Sequence, residues 1–157
     1  MPDQHAGDNS TQRGRSKQQA RAERILDAAA ALIERWGYNK TTIDDIARQA
    51  GVAKGTIYLH WKTREALFQA LLTREYVTVL ERFRQHVLSD PESITLHELA
   101  KQAFLLSMSS ALYKALLLGD NDMLGELARR EYADPTSVAQ RKIEFSKVYL
   151  ELLRSKG

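Results

Sequence analysis

The sequence predicts an all-α protein, and three observations carry that prediction. No segment alternates apolar and polar residues with period two, and no Asn-Gly or Asp-Gly hairpin turn occurs. Apolar residues recur instead at three- and four-residue spacing, the period of a helix with one buried face. Helix-start and helix-stop signals cut those stretches into segments of helical length.

Residues 1–18 are polar, contain Gly7 and Gly14, and lack apolar periodicity; they are expected to form a disordered basic arm. From about residue 20, Ile25, Ala29, Leu32, Ile33 and Trp36 fall on one helical face, and Gly37 stands where a helix stops. Trp36, Trp61 and Phe68 are assigned to the core. Thr42 and Asp45 make a helix-start pair, in which a hydroxyl caps and an acid three residues on reaches back. That helix runs through Ile46, Ala47 and Ala50 to Gly51. A second short helix spans roughly Lys54 to Trp61. Thr63 then caps a longer helix whose apolar positions, from Leu67 and Phe68 to Phe83 and Val87, hold the period until Ser89-Asp90-Pro91. Thr95 and Glu98 form a further capping box before Leu99, Ala103, Phe104 and Leu106. Gly119-Asp120-Asn121 is a turn, with a helix from about Met123 to Tyr132 after it. Ser137 and Gln140 open a last helix striped by Phe145, Val148, Tyr149, Leu152 and Leu153.

Bulk properties narrow the classes of function. A chain of 157 residues has room for one or two small domains. It has no cysteine, which excludes disulfides and cysteine metal sites. His5, His86 and His97 are scattered without metal-ligand spacing, so neither a metal nor a cofactor is expected. No run approaches the roughly 18–20 apolar residues of a membrane span, and the N-terminus lacks the apolar stretch of a secretory signal. The chain is read as cytoplasmic, with no membrane partner. The net charge of +3 is uneven. Residues 1–90 carry the whole excess, and Arg13, Arg15, Lys17, Arg21 and Arg24 face a single acid, Glu23. Such a cluster suits a polyanion, or is simply a solvated tail.

Residues 41 to 72 are the informative stretch. Two helices of about two turns, joined through Gly51, cannot bury a core alone and must pack on their neighbours through Ile46, Ala47, Ala50, Val52, Ile57 and Trp61. Ala47 is small where two helices cross, and Gly51 can take the left-handed conformation that the turn requires. This is a helix-turn-helix pattern, which presents its second helix to the major groove of DNA. Ile57 and Trp61 lie four apart and share the inward face of that helix. At about 100° per residue, Gly55, Tyr58, Leu59 and Lys62 centre on the opposite face, with Thr56 and His60 on a flank. Hydroxyls of Thr56 and Tyr58 suit phosphates or base edges, Leu59 a thymine methyl, and Lys54 a guanine edge or a phosphate. Gly55 leaves the backbone bare for close approach.

These residues closely resemble the DNA-binding domain of the TetR family. The resemblance rests on Thr41-Thr42, Ile46-Ala47, Ala50-Gly51-Val52, Gly55-Thr56-Ile57-Tyr58 and His60-Trp61, with Ile25-Leu26-Asp27-Ala28-Ala29 and Trp36-Gly37-Tyr38 before them. It covers about residues 20 to 75. It implies a three-helix DNA-binding domain over 19–65, joined by a long helix to a helical ligand and dimerisation domain over 66–157. It further implies a homodimer that holds a near-palindromic operator as a repressor and releases it when a small-molecule inducer enters the C-terminal domain. By the family's pattern Thr42, Thr56, Tyr58 and His60 contact DNA, mostly its backbone, and Lys54 and Gly55 stand at the base-reading start of the recognition helix; Leu59, Lys62 and Arg64 complete the candidate set. Three departures are visible. Ala53 replaces a common Ser and loses a capping hydroxyl worth roughly 1 kcal/mol. Trp61 replaces Phe. Arg64 replaces a phosphate-binding Lys, keeping charge but not donor geometry.

The C-terminal half carries no Gly-rich phosphate loop, HExxH or GxSxG pattern, and no enzyme is expected. Phe104, Met108, Leu112, Tyr113 and Leu116 are candidates for lining a ligand cavity, with ordinary core the alternative. The family continues with two long helices that build the dimer interface, so the C-terminal domain is expected to be short or incomplete, its last apolar stripe open to another contact or to aggregation. The competing reading is a helical protein–protein interaction module that has lost DNA reading.

Overall fold

The computed structural model describes residues 6–89 and 95–126 together with positions 147, 151 and 154, and seven helices are bounded among the described residues. They are α1 (Ala6–Trp36), α2 (Ile43–Ala50), α3 (Lys54–His60), α4 (Arg64–Ser89), α5 (Leu96–Ser109), α6 (Ala111–Leu118) and α7 (Asn121–Leu124). Among the described residues there is no strand, and no helix is long and apolar enough to cross a membrane.

One hydrophobic cluster joins α1–α4 with α6 and α7. Ile25, Ala29, Leu32 and Ile33 of α1 meet Ile46 and Ala47 of α2, Ile57 of α3 and Leu67, Phe68, Leu71 and Leu72 of α4. Leu112, Ala115 and Leu116 of α6 and Leu124 of α7 belong to the same cluster. The core therefore does not divide at residue 65: the first turns of α4 are packed with the three helices before it. Arg74 ties this unit together electrostatically. Its guanidinium reaches Asp27 at 2.7 Å and Glu23 at 3.2 Å on α1, and Glu75 at 3.4 Å beside it. Partial burial works against the charge on Arg74, but the bonds to Asp27 and Glu23 outweigh it and hold the guanidinium above its usual pKa. Glu75 in turn accepts from the Ser110 hydroxyl at 2.8 Å, so one chain of polar contacts joins α1, α4 and the α5–α6 junction.

The structure corrects several sequence expectations. The expected disordered arm is helical from Ala6. No proline interrupts it, Gln, Arg, Lys and Ala favour helix, and extending a helix already nucleated on a packed face is far cheaper than starting one. Trp36 shares the azimuth of the buried face yet is 41% exposed, with Arg35 over its ring at 5.6 Å. The chain reverses at Gly37 (φ +80°) and brings Tyr38 inward instead, edge-on to Phe68 at 4.8 Å. The reversal is pinned to α7: Tyr38 N–H donates to the Met123 carbonyl at 2.7 Å. A Cβ on Gly37 would stand 2.8 Å from the Asp122 carbonyl. The helix opened at Thr95 stops at Ser109, because Ser110 caps a new one by accepting from Tyr113 N–H at 3.1 Å. Thr95 itself accepts from Glu98 N–H at 3.2 Å, whereas the Glu98 carboxylate accepts from Gln102 and Lys101 rather than completing the box. The turn after α6 follows the prediction, with Gly119 left-handed. The helix expected from Met123 begins at Asn121 and is described only to Leu124. The rest of its predicted course and the stripe Phe145, Val148, Tyr149, Leu152 and Leu153 lie outside the described residues.

Candidate nucleic-acid interface

The α2–α3 pair is set by local chemistry at both its ends. Thr42 Oγ1 accepts from Asp45 N–H at 3.2 Å and donates to Asp45 Oδ2 at 2.6 Å, while Thr42 N–H reaches the same carboxylate at 3.4 Å. The hydroxyl bond, with the backbone bond and the nearby Arg48 guanidinium, holds the Asp45 carboxyl below its ordinary pKa. At the far end Gly51 takes the left-handed conformation (φ 63°, ψ 42°), and its N–H and that of Val52 close the last carbonyls of α2. A Cβ on Gly51 would meet nothing, so what this position requires is the backbone angle. The chain turns straight into α3. Ala53 offers no side-chain cap, as the departure from Ser predicted.

Ile57 is fully buried and fixes α3 from behind. The opposite face is open. Tyr58 is 38% exposed and Leu59 75%; Gly55 and Lys62 are exposed, and Thr56 and His60 half-buried on the flank. The His60 ring leans on half-buried Trp61, centroids 5.3 Å apart. Gly55 is the most telling position. Its φ is not positive, and a Cβ there would meet nothing within 4 Å. Neither conformation nor packing asks for glycine, although it costs about 1 kcal/mol in a helix.

Lys54 is not a free cation. Its ammonium sits 2.8 Å from Asp44 Oδ2, and that hydrogen bond raises the lysine's pKa. Asp44, which sequence reasoning passed over as a helix-start acid, therefore stands at the mouth of the candidate surface. It is ten residues from Lys54, too far for any helical-spacing rule to connect the two. Arg64 takes a different position. Read as a phosphate contact, it is turned inward: its guanidinium donates to the carbonyls of Tyr38 and Thr41, the latter at 3.2 Å, and lies over the Tyr38 ring at 3.9 Å and the Phe68 ring at 4.9 Å. It clamps the α1–α2 loop to α4. Thr41, one of the paired threonines, is buried beneath it, with Oγ1 donating to the Gly37 carbonyl at 2.9 Å. Only Thr42 of the pair reaches the surface.

The five candidate ligand-lining residues differ in burial. Leu112 and Leu116 are core, Phe104 is 64% exposed on α5, and Met108 is half-buried. Among the described residues, Tyr113 lines a crevice of about 20 Å³ with Tyr76, Val79, Leu80 and Phe83. That is room for one water.

A capped helix, a left-handed glycine, and a second short helix held at its back and open in front define a helix-turn-helix regulatory domain. Residues 25–71 match the model of the family described as bacterial regulatory proteins, tetR family, and this segment is a domain of that family. It is 33% identical over 130 residues to the fatty acid metabolism regulator protein of Bacillus subtilis, which covers 82% of this chain and 62% of that one. It is 40% identical over 55 residues to the A-factor receptor protein of Streptomyces griseus (35% and 20%), and 31% over 86 to the uncharacterized HTH-type transcriptional regulator YvdT of Bacillus subtilis (54% and 44%). The chain thus spans at most about three-fifths of these relatives. An alignment of 130 residues in a chain of 157 must also run past residue 71, so the first likeness extends into the C-terminal helices. No solved structure matches the chain.

Proposed function

We propose that this protein is a sequence-specific DNA-binding transcriptional regulator: a cytoplasmic, nucleoid-associated repressor that holds a near-palindromic operator as a homodimer and responds to a small-molecule inducer. The observation that supports it most is the outward face of α3, where a glycine with no structural reason sits beside exposed Tyr58, Leu59 and Lys62. In this reading Gly55, Lys54 and Leu59 meet base edges, and Thr42, Thr56, Tyr58, His60 and Lys62 hold phosphates. Arg64 acts at one remove by fixing the loop that carries Thr42. Lys54 reaches DNA by leaving, or sharing, Asp44.

The test is a mobility-shift screen of the full chain against genomic fragments, followed by footprinting. The expected result is protection of a dyad-symmetric site, with affinity falling steeply as salt rises. Failure to select any fragment over random duplex would overturn the proposal.

A further inference from the structure

Asp44 and Lys54 come from different helices, α2 and α3, yet Lys54 Nζ stands 2.8 Å from Asp44 Oδ2. Both side chains stay open to solvent, Lys54 50% and Asp44 60% exposed. An ion pair this exposed adds little to stability, so the fold does not account for it. Attraction to phosphates does not account for it either, because a carboxylate beside a polyanion repels it whatever the sequence. Neighbouring Asp45 is taken up by Thr42 and Arg48, and residues 53–63 contain no acid. Asp44 therefore supplies the carboxylate at this end of α3.

The pair sets a donor beside an acceptor at a fixed spacing. After bonding Asp44, the Lys54 ammonium keeps further N–H donors, and the carboxylate keeps further lone pairs. In the major groove a G·C pair shows guanine O6, an acceptor, next to cytosine N4, a donor. The base pair's own N–H···O bond joins those two atoms at about 2.9 Å. The 2.8 Å ion pair matches that spacing, so Nζ can donate to O6 while Asp44 accepts from N4. Guanine N7 offers the ammonium a second acceptor. A C·G or A·T pair reverses the order and sets a base oxygen against the carboxylate. A T·A pair keeps the order, but it puts a methyl group where N7 was and adenine N7, an acceptor, on the carboxylate side.

We infer that Asp44 is a specificity-determining residue: it and Lys54 stay paired and read a single G·C pair, Lys54 on guanine and Asp44 on cytosine N4. This rests on the DNA-binding reading above, in which residues at the start of the recognition helix meet base edges. Asp44 acts largely by rejection. Against each of the other three pairs its carboxylate meets a base acceptor, which lowers affinity there and leaves G·C preferred.

The experiment selects bound duplexes from a DNA library with a randomised centre, using the full chain as wild type and as Asp44→Ala. The wild type is expected to enrich a motif with a fixed G·C pair that Asp44→Ala relaxes to any of the four, every other position being kept. Duplexes of that motif carrying each of the four pairs at the relaxed position then give affinities by fluorescence anisotropy at fixed salt. For the wild type, C·G or A·T in place of G·C should weaken binding by about tenfold or more, as one mismatched pair does. For Asp44→Ala the spread should fall to about threefold or less, because the mismatched duplexes bind better. Its melting temperature should stay that of the wild type. An identical motif from both proteins overturns this inference, since Asp44 then only neutralises Lys54. A preference weakened evenly across the motif, or lost at a pair other than G·C, overturns it too. All three results leave the DNA-binding reading standing. A wild-type chain that enriches no motif overturns that reading, and this inference with it.

Discussion

Replacing Arg64 separates two roles that its position in the sequence cannot. The structure gives its guanidinium two backbone carbonyls, those of Tyr38 and Thr41, and the faces of two rings. Arg64→Ala removes a charge-assisted donor from both carbonyls. Water reaches part of this half-buried spot, so each carbonyl bond is worth about 1 kcal/mol, less than the roughly 1.5–3 kcal/mol of a fully buried bond to a charged group. The ring contacts add about 1 kcal/mol. The expected cost is about 3 kcal/mol of global stability, read as a lower urea midpoint at unchanged m-value. Arg64→Lys should recover less than half, because an ammonium cannot bridge both carbonyls while lying flat on the rings. Were Arg64 a phosphate contact, the pattern would invert: Lys would largely preserve DNA binding, and neither variant would change stability. A midpoint for Arg64→Ala within about 0.5 kcal/mol of wild type, together with weakened DNA affinity, would refute the clamp.

Other outcomes follow from the same geometry. Gly55→Ala should stabilise the fold by about 0.5–1 kcal/mol in thermal unfolding while weakening operator binding at least tenfold, since the new methyl meets only solvent in the free protein. Asp44→Asn should tighten DNA binding about two- to fivefold at low salt, with the gain vanishing at high salt, because it frees the Lys54 ammonium and removes a repelling carboxylate. The Asp45 carboxyl is held below its ordinary value of 3.8, chiefly by the Thr42 hydroxyl. A depressed carboxylate contributes its stability in full above 3.8 and loses it as pH falls through the lower folded value. The melting-temperature gap between wild type and Asp45→Asn should therefore be constant at neutral pH and close below 3.8.

The α2–α3 unit was legible because its determinants are local. The cap of Thr42 by Asp45, the left-handed Gly51 and the inward Ile57 are each decided within four residues, and all three stand where the sequence predicted. What escaped depends on which helix lies opposite. Periodicity assigns Trp36 and Phe104 to apolar faces but does not say what lies opposite them, and both are exposed. Arg64 and Asp44 are defined by contacts 23 and 10 residues away. Ser110 breaks a helix that its neighbours would have continued, helped by the bond to Glu75, 35 residues distant. The arm resembled disorder because it lacks apolar residues, a rule that judges whether a segment can fold alone and not whether a packed helix can be prolonged through it.

The most direct trial of the account is the affinity of Tyr58→Ala for the footprinted duplex at fixed salt. Tyr58 is exposed and lies outside the core cluster, so the variant should melt with the wild type and bind roughly tenfold to a hundredfold more weakly, as one hydrogen bond to a charged phosphate, worth about 1.5–3 kcal/mol, dictates. Equal affinity, or a weakening matched by an equal drop in melting temperature, would mean that the outer surface of α3 does not read DNA.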